Sequence, residues 1–179
     1  MTQLRTARLS LEPLAPQHAA EMFPLLLDPA IYRYLDYGPP ASVEALYDLY
    51  MRLQAGRSDD GSEVWLNWLL RLHAGHREAL GYVQATVIPG SHAFIGYVVA
   101  STYWNHGYAA EAMTAMLDHL SAAHPVPVIR AVVEIDNARS IALLQRLGFQ
   151  AVAFGQAGTA GLASSERLYA RNATTRGTA

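Results

Sequence analysis

A stretch near the middle of the chain has the residue types of an anion-binding loop at the start of a helix. It reads Tyr103-Trp104-Asn105-His106-Gly107-Tyr108-Ala109-Ala110-Glu111-Ala112. The first N–H groups of a helix lack partners within the helix, and the helix dipole favours negative charge beside them. Gly107 leaves its backbone open to an anion, although an ordinary turn also explains this glycine. Since the chain contains no lysine, the Gly-Lys-Ser/Thr ending of a P-loop is excluded.

A second stretch, from Asn137 to Phe149, places an amide and a hydroxyl one helical turn apart. Asn137 and Ser140 precede an apolar pattern of helical spacing that stops at Gly148. Asn137 is a good N-cap residue and Gly148 a good residue just past a helix end. Capping alone therefore explains Asn137 about as well as a ligand contact does.

These residues must be positioned by alternating strands and helices. The patterns predict strands at 8–14, 63–74, 79–88, 93–100, 128–135, 149–154 and 166–171, and helices at 16–27, 42–56, 107–123 and 137–147. The strand–helix–strand unit from 93 to 135 requires two parallel neighbours within an otherwise antiparallel sheet. We therefore expect a mixed α+β fold, with one domain over 1–171 and a frayed tail over 172–179.

The composition excludes several classes of function for this protein. The 179 residues are 51% hydrophobic and carry a formal net charge of -2, which argues against a nucleic-acid partner. Cysteine is absent, which excludes disulfides, thiol nucleophiles and Cys-ligated metals. No apolar run approaches the length of a membrane span, and the stretch from Met1 to Thr6 resembles no secretory signal. We expect a soluble cytoplasmic protein with no membrane partner.

Taken in order, three motifs resemble the GNAT superfamily of acetyl-CoA-dependent N-acetyltransferases, and most closely its RimJ/RimL-like branch. They are Thr6-Ala7-Arg8-Leu9-Ser10-Leu11, the loop from Tyr103 to Glu111, and Asn137-x-x-Ser140 leading to Leu147-Gly148-Phe149. The resemblance covers nearly the whole chain. It implies a GNAT-type fold, in which helices lie on both faces of a mostly antiparallel sheet and one parallel strand pair splays apart.

The resemblance also implies a site. The pyrophosphate of CoA would bind the loop amides, the pantetheine arm would bind backbone between the splayed strands, and Ser140 would reach the thioester sulfur and protonate the thiolate. The residues implied for the cofactor are Tyr97, Val98, Val99, Asn105, His106, Gly107, Tyr108, Ala109, Asn137 and Ser140, and those for the acceptor side are Tyr34, Asp36 and Tyr37. No metal is implied.

Three positions depart from the family pattern. Trp104 stands where the common loop begins with Gln or Arg, although some relatives in this branch also carry Trp. Leu144 stands where many members have a tyrosine acid, and Phe94 where relatives in the branch often have a glutamate. The usual general base is therefore missing.

Other residues offer partial replacements for that base. Glu134 is the nearest carboxylate, on the strand beside the cleft, but strand alternation can turn it away. His92 and His106 could titrate near neutral pH. Glu111 lies in the first turn of a helix, where the dipole alone favours a carboxylate.

We expect transfer of an acetyl group to a primary amine, and a protein or peptide α-amine fits best. An α-amine titrates near 7.7–8.0 and a lysine ε-amine near 10.4, so a site without a strong base suits the former. Two alternatives remain open, a non-catalytic acyl-CoA-binding module and an acetyltransferase of an antibiotic or polyamine. The protein could be a monomer or a homodimer.

Overall fold

A single mixed sheet runs through the residues that this computed structural model describes, 1–73, 78–156 and 158–173. Its strands are β1 (Leu4–Arg5), β2 (Leu9–Pro13), β3 (Val64–Leu72), β4 (Ala79–Ile88), β5 (His92–Val99), β6 (Val128–Glu134), β7 (Gln150–Ala151) and β8 (Glu166–Asn172). The spatial order is β1-β2-β3-β4-β5-β6-β8-β7, and each neighbouring pair is antiparallel except β5 with β6. The predicted mixed α+β architecture is confirmed.

Helices cover both faces of this sheet. They are α1 (Ala19–Leu25), α2 (Val43–Gln54), α3 (Tyr108–Ala123) and α4 (Ala138–Arg146), with 3-10 turns at Pro16–His18, Pro29–Tyr34 and Ser101–Tyr103. Neighbouring residues of β3 face opposite sides, so Trp68 packs in the core beneath α3 and α4 whereas Leu69 packs beneath α1 and α2. Within the described residues, no helix is both long enough and apolar enough to cross a membrane.

The parallel pair of strands separates after a short contact. β5 and β6 share only three register pairs, which end at Phe94 opposite Arg130. Beyond that point β5 continues beside β4 as far as Val99, and β6 continues beside β8 as far as Glu134. The sheet therefore opens between β5 and β6, and the predicted splayed pair is confirmed.

Gly81 allows β4 to lie close against β5 beside this opening. Its φ of +150° is one that L side chains rarely adopt, and a Cβ there would lie 2.0 Å from the carbonyl oxygen of Val98. The pairing of β3 with β4 also shifts register at this level, between Leu70 and Arg71. A residue without a side chain is therefore required where β4 lies this close to β5.

The predicted caps are present, but two predicted elements are shorter than their patterns indicate. Ser42 and Asn137 accept hydrogen bonds from amides three residues on, at 3.1 and 3.2 Å. The predicted helix 16–27 begins as a 3-10 turn and ends early, because Asp28 caps the following turn. The predicted strand 149–154 is reduced to β7, because turns begin at residue 154.

The C-terminal end of the last strand lies beyond the predicted domain boundary. β8 extends to Asn172, and the amide of Ala173 donates to the carbonyl of Pro127 at 3.2 Å. The rest of the predicted tail, 174–179, lies outside the described residues, as does the predicted turn at Gly75 and His76.

Candidate active site

A cavity of about 1150 Å³ passes through the opening between β5 and β6. One side, here called the helix half, is lined by the starts of α3 and α4 with the loop before α3. The other side, the turn half, is lined by the segment from Pro29 to Tyr37 together with Tyr82, Gln84, Phe94 and Glu134. The two halves meet along the separated part of β5, from Gly96 to Val99.

The start of α3 presents uncapped amides to the helix half. Gly107 is the N-cap, with a left-handed φ of +80°, and no side chain of the described residues bonds to the first-turn amides. Asn105 also has a positive φ, of +64°. The lining of the cavity includes Asn105, Gly107, Tyr108 and Ala109 of the predicted loop. The predicted loop therefore forms a backbone surface suited to an anion.

Arg8 and Glu111 fasten this loop to the N-terminal segment. The Glu111 carboxylate accepts hydrogen bonds from Thr6 Oγ1, the Arg8 amide and Arg8 Nε at 2.6, 2.8 and 2.6 Å. Burial alone would raise the pKa of Glu111, but these bonds and the Arg8 charge lower it overall. Arg8 also donates to the His106 carbonyl at 2.9 Å and lies 4.5 Å from the ring centre of Tyr108. Sequence spacing gave no signal for this role of Arg8.

The Trp104 side chain forms a hydrogen bond with the backbone at the end of β5. Its indole N–H donates to the Val99 carbonyl at 2.7 Å, and the Arg139 guanidinium lies 4.3 Å from the indole ring centre. Because the Ala100 amide donates to β4, strand alternation turns the polar groups of Val99 away from β4 and toward the opening. Trp104 thus pairs a carbonyl that has lost its neighbouring strand.

The same alternation separates the three predicted backbone positions of β5. The N–H and C=O groups of Tyr97 and Val99 face the opening, whereas those of Val98 face β4. All three residues line the cavity. Backbone donors in the opening are therefore the amides of Tyr97 and Val99.

Ser140 and Asn137 lie together at the start of α4, on the cavity wall. The Asn137 side chain accepts from the Ser140 amide at 3.2 Å, which fixes the first turn. Across the opening, the Tyr97 hydroxyl donates to Ser140 Oγ at 3.1 Å. Burial raises the pKa of Tyr97, although its bond to Ser140 acts the other way. Leu144 is buried one turn further along α4.

The turn half collects tyrosines around the predicted acceptor residues Tyr34, Asp36 and Tyr37, all of which line the cavity. The hydroxyls of Tyr37 and Tyr82 are 3.1 Å apart. Burial, and then the neighbouring Tyr37, raises the pKa of Tyr82 well above its usual range, so its hydroxyl stays protonated. Asp28 accepts from the Ser101 amide at 3.3 Å and so ties this segment to the end of β5.

Glu134 lies in the turn half. It lines the cavity and is the register partner of Glu166 on β8, which also lines it. Strand alternation places Glu134 on the same face as Arg130 and therefore as Phe94, the register partner of Arg130. The carboxylate predicted to face either way thus faces the cavity.

His92 and His106, the histidines considered as replacements for the general base, lie outside the opening. His92 starts β5 in its paired section and packs edge-on against Phe94, with ring centres 5.1 Å apart. Burial, and then the charge of Arg130, lowers the pKa of His92. The His106 ring stacks on Tyr108. Neither histidine lines the cavity among the described residues, which also contain no group of three or more His, Cys, Asp or Glu able to hold a metal.

Comparison with known proteins gives a family and curated relatives. The sequence profile described as acetyltransferase (GNAT) domain matches residues 8–150. The chain is 27% identical to an uncharacterized N-acetyltransferase, p20 of Bacillus licheniformis, over 84% of this chain and 83% of that protein. It is 26% identical to another, YoaA of Bacillus subtilis, over 82% of each.

Solved structures share the fold. RimL, a ribosomal L7/L12 alpha-N-protein acetyltransferase in complex with coenzyme A, gives a TM-score of 0.78 at 19% identity, over 97% of this chain and 99% of that one. MccE, a microcin C7 self immunity acetyltransferase in complex with acetyl-CoA and AMP, gives 0.75 at 14% over 93% of each. A GNAT acetyltransferase from Bacillus anthracis gives 0.75 at 17%, over 96% of this chain and 98% of that one.

The fold likeness agrees with the resemblance to the RimJ/RimL-like branch. The family profile spans most of the chain and contains both the loop before α3 and the start of α4. This protein therefore belongs to the GNAT family of N-acetyltransferases, as its ordered motifs predict.

Proposed function

We propose that this enzyme moves the acetyl group of acetyl-CoA to the α-amine of a protein or peptide, by direct attack within the opening between β5 and β6. The observation that carries the proposal is the through-going cavity, which has a backbone anion surface at one end and tyrosines with carboxylates at the other. A phosphorylated donor and a cationic acceptor can thus approach the same opening from opposite sides.

The helix half suits the donor. The uncapped amides after Gly107 donate hydrogen bonds to phosphate oxygens, and the α3 dipole adds to the attraction. Arg8 offsets the charge of Glu111 beside this surface, so the carboxylate does not repel an anion there. The Val99 amide and the Tyr97 carbonyl, which face the opening, suit the amide groups of a pantetheine arm, whereas Trp104 occupies the Val99 carbonyl.

The reaction needs a donor that stabilises the oxyanion, an acid that protonates the leaving sulfur, and negative charge that attracts the acceptor. A neutral amine attacks the thioester carbonyl, and the backbone N–H group of Tyr97 stabilises the oxyanion. Ser140 Oγ–H then protonates the departing sulfur. Glu134 and Asp36, both in the cavity lining, attract the acceptor as its ammonium form.

The α-amine is favoured because Phe94 and Leu144 leave no strong base or tyrosine acid at the family positions. At pH 7.5 roughly a third of an α-amine is already neutral, against about one part in a thousand of a lysine ε-amine. RimL, which shares the fold, is itself described as an alpha-N-protein acetyltransferase.

An acceptor panel tests the proposal. Thiol release from acetyl-CoA is measured with peptides bearing a free α-amine, the same peptides blocked at the N-terminus but containing lysine, polyamines and aminoglycosides. We expect the free α-amine peptides to give the highest kcat/KM. Higher values with polyamines or aminoglycosides would reassign the acceptor, and no release with any amine would favour the non-catalytic acyl-CoA-binding module.

The pH dependence of kcat/KM tests whether the protein supplies a general base. Without a base on the protein, log kcat/KM should rise with unit slope to a plateau near pH 8 for an α-amine. If Glu134 is the base, a break should appear at the pKa of a carboxyl group and vanish in Glu134→Gln. A break below pH 7 that survives in Glu134→Gln would contradict both versions.

A further inference from the structure

The hydrogen bond between Tyr97 and Ser140 joins the two walls of the opening. Tyr97 belongs to β5 and Ser140 to α4, 43 residues further along the chain, and their hydroxyl oxygens are 3.1 Å apart. Leu144, one turn after Ser140, occupies the family position of a tyrosine acid without offering a hydroxyl. A tyrosine hydroxyl is therefore present at the start of α4, but it comes from the opposite wall.

We infer that Tyr97 is the positioning residue that aims the Ser140 hydroxyl into the opening. This inference rests on the proposed function, in which Ser140 protonates the leaving sulfur. Tyr97 does not itself exchange a proton with the substrates; it acts through Ser140.

The packing of Tyr97 fixes its hydroxyl. Strand alternation places its side chain on the same face as Ala93 and Ile95, which are buried in the core beneath α3 and α4. Tyr97 is half-buried and packs against that same core. Since burial keeps its hydroxyl protonated near neutral pH, the hydroxyl carries a proton to donate to Ser140.

The direction of this bond determines what Ser140 can do. A serine hydroxyl has one proton and two lone pairs. When one lone pair accepts the Tyr97 proton, the Ser140 proton must point elsewhere, and a hydroxyl that accepts a bond also donates more strongly. The Asn137 cap holds the Ser140 backbone at the same time, so both ends of the residue are fixed.

The proton transfers of the reaction balance without ionisation of Tyr97. As the C–N bond forms and the C–S bond breaks, Ser140 Oγ gives its proton to sulfur. It receives a proton from the nitrogen, directly or through one water molecule. One proton thus passes from the amine to the thiolate, while Ser140 ends unchanged and Tyr97 keeps its own proton throughout.

Rate measurements on Tyr97→Phe, Ser140→Ala and the double variant test the inference. We expect Tyr97→Phe to slow the single-turnover step about tenfold and to change acetyl-CoA affinity less than twofold. The double variant should be no slower than Ser140→Ala. Equal slowing by Tyr97→Phe in the presence and absence of the Ser140 hydroxyl would overturn the inference, as would an unchanged rate.

Tyr50→Phe is the matched control. Tyr50 is buried in the core beneath α1 and α2, and its hydroxyl has no hydrogen-bond partner among the described residues. The same chemical change there should leave the transfer rate at the wild-type value. Melting temperatures of both Phe variants separate a loss of positioning from a loss of stability.

A binding measurement gives a readout that needs no acceptor amine. If Ser140 donates to the sulfur of bound CoA, it stabilises the thiolate, so wild-type affinity should rise between pH 7 and 9 as a thiol of pKa about 8.5 ionises. We expect calorimetry to show a smaller rise in both Tyr97→Phe and Ser140→Ala. A full rise in Tyr97→Phe, or none in the wild type, would overturn the inference even if no acceptor is acetylated, whereas the proposed function fails when the wild type does not acetylate a peptide α-amine.

Discussion

The helix half of the cavity is lined mainly by backbone groups, whereas the turn half is lined mainly by side chains. The helix half is a backbone surface, held by bonds from Arg8 to Glu111 and the His106 carbonyl and from Trp104 to the Val99 carbonyl. The turn half is a set of side chains on one 3-10 turn and its following loop, with a hydroxyl contact from Tyr37 to Tyr82. A backbone surface persists under most side-chain changes, whereas a side-chain surface changes with each one. The proposed donor site is therefore the fixed part of this enzyme, and the proposed acceptor site is the adjustable part.

Gly81→Ala should have the largest effect, because it disturbs the strand that supports both halves. Its Cβ would lie 2.0 Å from the Val98 carbonyl oxygen. We expect a loss of about 3 kcal/mol or more in the free energy of unfolding, from overpacking and backbone strain. Gly96→Ala on β5 is the control, since its Cβ would meet only the Gln84 side chain at 3.5 Å. Equal urea midpoints for the two variants would refute the close approach.

Gly107→Val should disable the helix half alone. A β-branched residue is strained at a φ of +80° and would crowd the anion surface, so CoA affinity should fall by more than tenfold in calorimetry. The far-ultraviolet circular dichroism should remain native. Gly38→Ala, just past the segment of the turn half and with nothing within 4 Å of its Cβ, is the control. Unchanged affinity in Gly107→Val would place the phosphates elsewhere.

Acid pH should weaken the hydrogen bonds from Thr6 and Arg8 to Glu111 that hold the helix half in place. The hydrogen bonds from Thr6 and Arg8 outweigh burial and lower the pKa of Glu111, so its stabilisation is complete above its unfolded pKa of about 4.3 and is lost as pH falls through the folded value. We expect Glu111→Gln to cost about 1 kcal/mol at pH 7. The difference in melting temperature between wild type and this variant should shrink from pH 6 to pH 3; a constant difference would contradict the ionic role.

Tyr37→Phe should have the smallest effect, confined to the turn half. Loss of the hydroxyl contact to Tyr82 removes one exposed bond, so the KM of the acceptor should rise about two- to fivefold while acetyl-CoA affinity stays constant. Tyr47→Phe on the exposed face of α2 is the control. A change in acetyl-CoA affinity in Tyr37→Phe would show that the halves are coupled.

The sequence predicted most of the helix half because its features are local. Left-handed Gly107, the Asn137 cap and the strand–helix–strand unit each depend on a few neighbouring residues. The contacts that complete this half could not be predicted from spacing, since Arg8 and Glu111 are 103 residues apart in the chain and Tyr97 and Ser140 are 43 apart.

The turn half was harder to predict for a different reason. Its members come from separate elements, and only three-dimensional packing decides which side chains converge. The facing of Glu134 depends on where β6 leaves β5, because a shift of one residue would turn its side chain to the opposite face. Neither Tyr82 nor Gln84 carries a sequence signal for the cavity that it lines.

The proposed acetyl transfer from CoA to an α-amine is measured directly by a paired stoichiometry. Free thiol and peptide mass are followed together for the wild-type enzyme with acetyl-CoA and one peptide, prepared with either a free or a blocked N-terminus. We expect one CoA released per acetylated peptide with the free N-terminus and neither product with the blocked form. Thiol release at the same rate with both peptides, or none with either, would contradict it.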